Sequence, residues 1–177
     1  MEIEMNGKKY QVIYADPPWG YMQKKVGREY KHGASQKYSV MSIDEIKSLN
    51  ISNIILDDSV LFLWVTTPLL PDGIDVLRSW GFDYKTSLYW NKKNSLGLGY
   101  WFRNNVEVCL VGIRGDVKAF RLQIPNVINE QPKGHSKKPM KMYSIIESLD
   151  LKPRIELFAR DQREGWDCYG DQLNDTI

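Results

Sequence analysis

Short apolar runs separated by amphipathic segments set the plan of this chain. Tyr10 to Ala15 (YQVIYA) is rich in β-formers, and Asp16-Pro17-Pro18-Trp19 follows at once, where two consecutive prolines end any ladder and leave a rigid turn. Ser59 to Val65 (SVLFLWV) is continuously apolar after its first residue, the pattern of a strand covered on both faces of a mainly parallel sheet. Tyr84 to Trp90, Val106 to Gly112 (VEVCLVG), Arg154 to Ala159 (RIELFA) and a short run near Trp166 to Tyr169 read as further strands. Arg114 to Lys133 carries little pattern beyond one strand near Val127-Ile128.

Helical spacing appears between these runs. Ser42 followed by Glu45 is a capping box opening a helix with Ile43, Ile46 and Leu49 on its apolar side. Ile74, Leu77 and Trp80 recur at helical spacing in a segment from about Asp72 to Trp80 that Gly81 stops. A third helix from near Pro139 to Leu149 has Met142, Ile145, Ile146 and Leu149 as its stripe. Strands alternating with helices predict a single α/β domain over 1–177, with a mostly parallel sheet flanked by helices. Gly20 to Lys37 and Asn91 to Asn105 have no clear period and read as long functional loops.

Composition narrows the picture a little. The 177 residues are 42% hydrophobic and 26% charged, which suits a folded chain of one domain. No run reaches the roughly 18 apolar residues needed to cross a bilayer, and Met1-Glu2-Ile3-Glu4 lacks a signal-peptide layout, so a cytoplasmic protein is expected. Cys109 reads as a buried thiol, and the two cysteines lack the spacing of a zinc site, so no metal is expected. Net charge is only +2, too weak alone to argue a nucleic-acid partner. The basic residues are clustered, with Lys24, Lys25, Arg28, Lys31 and Lys37 in one group and Lys133, Lys137, Lys138 and Lys141 in another. Such clusters are most often solvated surface.

The candidate chemistry begins at Asp16. In an open α/β sheet, ligands bind beyond the carboxyl ends of the strands, where this tetrapeptide falls. The Asp16 carboxylate and the Pro17 carbonyl, which the Pro-Pro turn keeps out of a ladder, supply two acceptors for the two N–H bonds of a planar amine. Trp19 offers a flat surface for a base. Taken alone, the tetrapeptide is equally well an ordinary rigid turn with a buried tryptophan. Glu107 interrupts an apolar strand, and a carboxylate there must be paired or solvated by a cavity; Lys138 is the partner expected. Lys138 stands where a helix dipole disfavours a cation, a placement easier to explain if an anion sits there.

From about Lys9 to Leu173 the chain resembles the MT-A70 family of N6-adenine methyltransferases. The diagnostic motif is DPPW at Asp16 to Trp19, near the N-terminus in a permuted motif order. The other matches follow in register: Tyr38-Ser39-Val40-Met41-Ser42, Leu61-Phe62-Leu63-Trp64-Val65-Thr66, Glu107 with Cys109-Leu110-Val111-Gly112, His135-Ser136-Lys137-Lys138-Pro139, Glu156-Leu157-Phe158-Ala159-Arg160, Gly165-Trp166 and Gly170-Asp171-Gln172. The resemblance implies a Rossmann-like methyltransferase domain using S-adenosyl-L-methionine, with Asp16, Pro17, Pro18 and Trp19 forming the catalytic turn. It implies cofactor contacts for Asp16, Glu107, Lys138, Phe158, Arg160, Asp171 and Gln172, and places Trp19 and Tyr38 at the target adenine. A structural ion pair remains the rival for Arg160, and plain core packing for Phe158 and Tyr38. Asp171 departs from the family's frequent Asn, and an acid accepts hydrogen bonds but donates none. Larger members carry residues well upstream of the motif that cap the cofactor adenine; 15 residues precede Asp16 here, and no such cap is recognised among them.

On this reading the partner is a nucleic acid, with DNA preferred over RNA because the chain has the size of the compact bacterial and phage members. The target base is flipped out or already unpaired. Lys24, Lys25, Arg28, Lys92, Lys93 and Arg103 are candidates for contacts to phosphates and flanking bases. Homo-oligomerisation is compatible with this picture. An RNA N6-adenosine methyltransferase, a non-catalytic nucleic-acid-binding member of the family and a methyltransferase for other planar amines are the alternatives.

Overall fold

The computed structural model describes residues 7–20, 40–93, 101–133, 137–170 and 173. One seven-stranded sheet organises them. The strands are β1 (Tyr10–Ala15), β2 (Ile55–Thr66), β3 (Asp83–Asn91), β4 (Val106–Arg114), β5 (Val127–Asn129), β6 (Arg154–Leu157) and β7 (Asp167–Tyr169), in the spatial order β5-β3-β4-β2-β1-β6-β7. β1 lies between β2 and β6, parallel to both.

Central strands with two covered faces need apolar residues at successive positions, as the sequence provides. On β1 and β2, Ile13, Ala15, Leu61, Leu63 and Val65 face one side, beneath the helices α1 (Ile43–Lys47) and α2 (Leu70–Ser79). Val12, Tyr14, Val60, Phe62 and Trp64 face the other, against α3 (Met140–Glu147). The capping box at α1 is formed: Ser42 N–H donates to Glu45 Oε2 at 2.7 Å, and Glu45 N–H to Ser42 Oγ at 3.2 Å. α2 begins two residues before the expected Asp72, with a proline in its first turn.

The fold is α/β, as expected, and six strands run in one direction. β4 alone is reversed, pairing antiparallel with both β2 and β3. The apolar pattern of β4 does not encode direction. The sequence from Asn91 to Asn105 does, because it carries no helical spacing, and a strand joined to its neighbour by a loop alone pairs antiparallel. This reversal positions the site: the start of β4 lies at the same edge as the ends of β1, β2 and β3, with Glu107 opposite Thr66 and Trp90.

Other boundaries also differ from the sequence reading, two of them for clear physical reasons. β2 starts at Ile55 rather than Ser59, because the polar Asp57-Asp58 continues the strand beyond the covered part of the sheet. β6 stops at Leu157, since Phe158 turns to a left-handed φ of 62°.

Gly112 shows how closely α2 lies on the sheet. A Cβ there would stand 2.9 Å from Phe82 Cβ and 3.0 Å from Leu77 Cδ1. Gly112→Ala is therefore expected to lower unfolding free energy by about 1–3 kcal/mol, the usual cost of overpacking, measured by urea denaturation.

Candidate active site at the carboxyl edge of the sheet

β1 ends at Ala15, in register with Leu63 and Leu157, and Asp16 is the first residue past the ladder. The turn that follows is tightly tied. Trp19 N–H donates to Pro17 O at 2.9 Å, Met41 N–H to Pro18 O at 2.9 Å, and Gly20 N–H to Met41 O at 2.8 Å. A Cβ on Gly20 would lie 2.8 Å from Met41 O, so only glycine permits that approach. The Pro17 carbonyl is outside the ladder, as expected, but it already accepts one hydrogen bond; its second lone pair remains for a ligand. Trp19 is only 8% exposed and packs in the core below α1 and α2, with its indole N–H donating to Trp64 O at 2.9 Å. Its main work in the fold is to fasten the turn to β2.

Four charges of alternating sign run through the site. Lys138 Nζ lies 2.9 Å from Asp16 Oδ1 and 3.0 Å from Glu107 Oε2. The other oxygen of Glu107 pairs with Lys92 Nζ. Side-chain exposures along the chain Asp16–Lys138–Glu107–Lys92 are 21%, 12%, 16% and 22%, so water reaches these groups only in part. The ammonium of Lys138 also sits 5.5 Å from the centre of the Trp64 ring, and that of Lys92 sits 5.2 Å from the Trp90 ring. Burial pushes the Asp16 carboxyl up, and Lys138 opposes it without fully offsetting it. For Glu107 burial pushes the same way, but Lys138 and Lys92 together hold its carboxyl below the usual range. Lys138 is held protonated by the two carboxylates despite its burial.

The start of α3 carries an anionic side chain that the sequence reading did not name. Glu130 follows β5 and accepts from Met140 N–H at 3.0 Å and Lys141 N–H at 3.2 Å. The first α3 amides are thus satisfied by protein, and Lys138 finds its counter-charges in Asp16 and Glu107.

On the β6 side, Glu156 stands beside Tyr14, and Tyr143 Oη donates to its two oxygens at 2.9 and 3.0 Å. Burial raises the Glu156 carboxyl to about 7, with the Tyr143 hydrogen bond opposing and the Asp16 charge adding. Phe158, partly buried against the α1–α2 core, takes its left-handed conformation just past β6; such a conformation costs of order 1–3 kcal/mol and concentrates at functional edges. Arg160 comes two residues later, and its charge acts on Asp16.

The structure therefore brings together Asp16, Pro17, Pro18, Glu107 and Lys138, with Arg160 acting on the same carboxylate. Lys92, named from sequence as a phosphate contact, joins this cluster through Glu107. Lys93 and Arg103 are exposed at the ends of the β3–β4 loop. Tyr38, Lys24, Lys25, Arg28, Asp171 and Gln172 lie outside the described residues. Sequence reasoning missed Glu156, whose polar position in an apolar strand carried the same signal as Glu107. It also missed Trp101 and Phe102, which are 93% and 85% exposed.

A family model described as MT-A70 matches residues 10–172. The Type II methyltransferase M.MunI of a Mycoplasma species is 34% identical, over 96% of this chain and 80% of its own length. The N(6)-adenosine-methyltransferase subunit METTL3 of Danio rerio is 33% identical over 98% of this chain and 30% of its own length. An N(6)-adenosine-methyltransferase MT-A70-like protein of Arabidopsis thaliana is 32% identical over 93% of this chain and 24% of its own. The chain thus spans less than a third of either eukaryotic relative.

Glu156 yields a pH prediction. Its folded value near 7 lies above the ordinary 4.5, so between those values the folded state holds a proton that the unfolded chain releases. The associated stability is complete below about pH 4.5 and is lost as pH rises through about 7. Glu156→Gln keeps an acceptor for Tyr143 and removes the ionisation. Its Tm should match the parent at pH 4.5 and exceed it at pH 8 by on the order of a few °C; an equal difference at both values would contradict the assignment.

Proposed function

The chain belongs to the MT-A70 family of N6-adenine methyltransferases, and from that premise we propose that it transfers a methyl group from S-adenosyl-L-methionine to N6 of an adenine in DNA. The observation that carries this reading is the Asp16 carboxylate, held by Lys138 just past the end of β1 beside a proline carbonyl with a lone pair to offer.

The donor set suits such a cofactor. Lys138 uses two of its three N–H donors on Asp16 and Glu107 and keeps one for a carboxylate. Asp16 supplies negative charge for a cationic ligand. Arg160 and the half-buried ring of Phe158 add a donor and an apolar face. The cofactor, when bound, supplies an electrophilic methyl carbon. Asp16 and the Pro17 carbonyl each accept one N–H of the target amine, which turns its delocalised lone pair toward that carbon. As the nitrogen gains charge, Asp16 stabilises it, and the tied turn keeps the two acceptors in place without reorganisation.

Adenine N6 is paired in a duplex, so the target base must leave the stack. The exposed Trp101 and Phe102, next to the exposed Arg103, supply flat apolar faces and a cation for unpaired bases and their phosphates. Lys93, with Lys24, Lys25 and Arg28, is assigned to the same strand, while Tyr38 and the small exposed part of Trp19 are assigned to the target adenine. Asp171 and Gln172 are assigned to the cofactor. DNA is favoured by the likeness to the type II methyltransferase, which is 34% identical over 96% of this chain and 80% of its own length. RNA is the second reading, favoured by the names and 32–33% identities of the latter.

Labelled cofactor offered with unmethylated DNA, RNA and free adenosine tests the reading, with label expected as N6-methyladenine in DNA. Asp16→Ala should fold and lose about 10²–10³-fold in kcat, the scale of losing one oriented charge-stabilising group; full activity would remove the proposal's basis. Trp101→Ala and Phe102→Ala should each leave Tm unchanged and weaken binding of an unpaired oligonucleotide roughly 5- to 100-fold, as expected for a stacked base. Unchanged affinity together with a changed sedimentation coefficient would instead assign these rings to a protein interface.

A further inference from the structure

Lys92 stands at the root of the β3–β4 loop, where a nucleic-acid contact would be expected, yet its charge points inward. Its ammonium pairs with Glu107 Oε1, and its backbone N–H donates to Asn105 O at 2.9 Å, closing the neck of the loop. The Trp90 ring lies beneath the ammonium, 5.2 Å from centre to nitrogen. Glu107 Oε2 faces Lys138 at 3.0 Å, and Lys138 faces Asp16 at 2.9 Å.

We propose that Lys92 is a positioning residue of the methyl-transfer site, which occupies one oxygen of Glu107 and so leaves Lys138 directed at Asp16. The role rests on the reaction proposed above. The two carboxylates compete for one ammonium, and the outcome depends on what else each has. With Lys92 in place, Glu107 has a cation for each oxygen and shares Lys138 evenly. Without it, a poorly hydrated carboxylate is left half-paired, and such a group draws its remaining partner closer or takes up a proton. The first response pulls Lys138 from Asp16; the second removes an anion that fixes where Lys138 sits. Both loosen the acceptor carboxylate. Screening does little to soften the change, because these groups are largely out of bulk water.

The pH dependence follows from the groups around Asp16. They are Lys138 from the segment before α3, Glu107 and the Cys109 thiol from β4, Glu156 from β6 and Arg160 just after it, with Lys92 one pair further out; burial pushes the Cys109 thiol up, so it stays neutral and adds no charge. Removing the Lys92 charge leaves this set one unit more negative, which favours the protonated, inactive Asp16.

The test uses the full chain and an adenine-containing oligonucleotide. Lys92→Met should lower kcat by about 10- to 100-fold, the scale for partners that orient a ligating group. The acid limb of kcat/KM should move to higher pH, and Lys92→Arg should recover most of both losses. The salt slope of oligonucleotide binding should stay unchanged, whereas loss of a phosphate contact would reduce it by about one unit. In a Glu107→Gln background the Lys92→Met step should have little further effect, since its route to Asp16 is gone; this comparison keeps the test decisive if Lys92→Met alone folds poorly. A Lys92→Met protein with parental kcat and pH profile would overturn the inference, as would a reduced salt slope with unaltered kcat. A parent protein that methylates no adenine would instead remove the reaction itself.

Discussion

A carboxylate paired with a cation where water is scarce is the constraint from which the rest of this molecule follows. Asp16 lies past the end of a strand covered on both faces, where most of its solvation has to come from the protein. A single cation would answer the charge but leave that cation free to settle elsewhere. The chain uses an alternating series, Asp16, Lys138, Glu107 and Lys92, in which each inner member has a neighbour of opposite sign on both sides. Such a series is poor evidence for stability, because desolvation offsets much of the attraction. It is good evidence for geometry, since moving one member disturbs two pairs.

The sheet is arranged so that this series can exist. Asp16 comes from the end of β1 and Lys92 from just past β3, while Glu107 comes from the start of β4. Were β4 parallel to its neighbours, its first residues would lie at the opposite edge, far from Asp16. Helix α3 would ordinarily repel a lysine at its start, and Glu130 relieves this by taking the first amides itself.

Much of this was legible from residue order. The strands were readable because burial on two faces demands unbroken apolar runs, and Ser42 and Glu45 announced a helix start through a bond pattern set by local spacing. Glu107 was found because a charge in an apolar strand has few physical explanations. What escaped depended on tertiary placement. Direction is invisible in the pattern of β4. Trp19 could have lain against a ligand or against the core, and composition does not distinguish them; the bond to Trp64 O does. Lys92 resembled any loop lysine, and only the fold brings it to Glu107. Trp101 and Phe102 fall in a segment read for its charges, and residue order alone does not say that their rings are exposed.

The neck formed by Lys92 and Asn105 separates two kinds of inheritance. Everything inside it is held by register and charge, where a single insertion would shift Glu107 off the edge. Everything beyond it is a loop whose ends are already joined, and doubling the length of such a loop costs only about 0.6 kcal/mol in closure entropy. A lineage of such proteins could therefore change the length of the chain between Lys92 and Asn105 while the charge series behind it stays untouched.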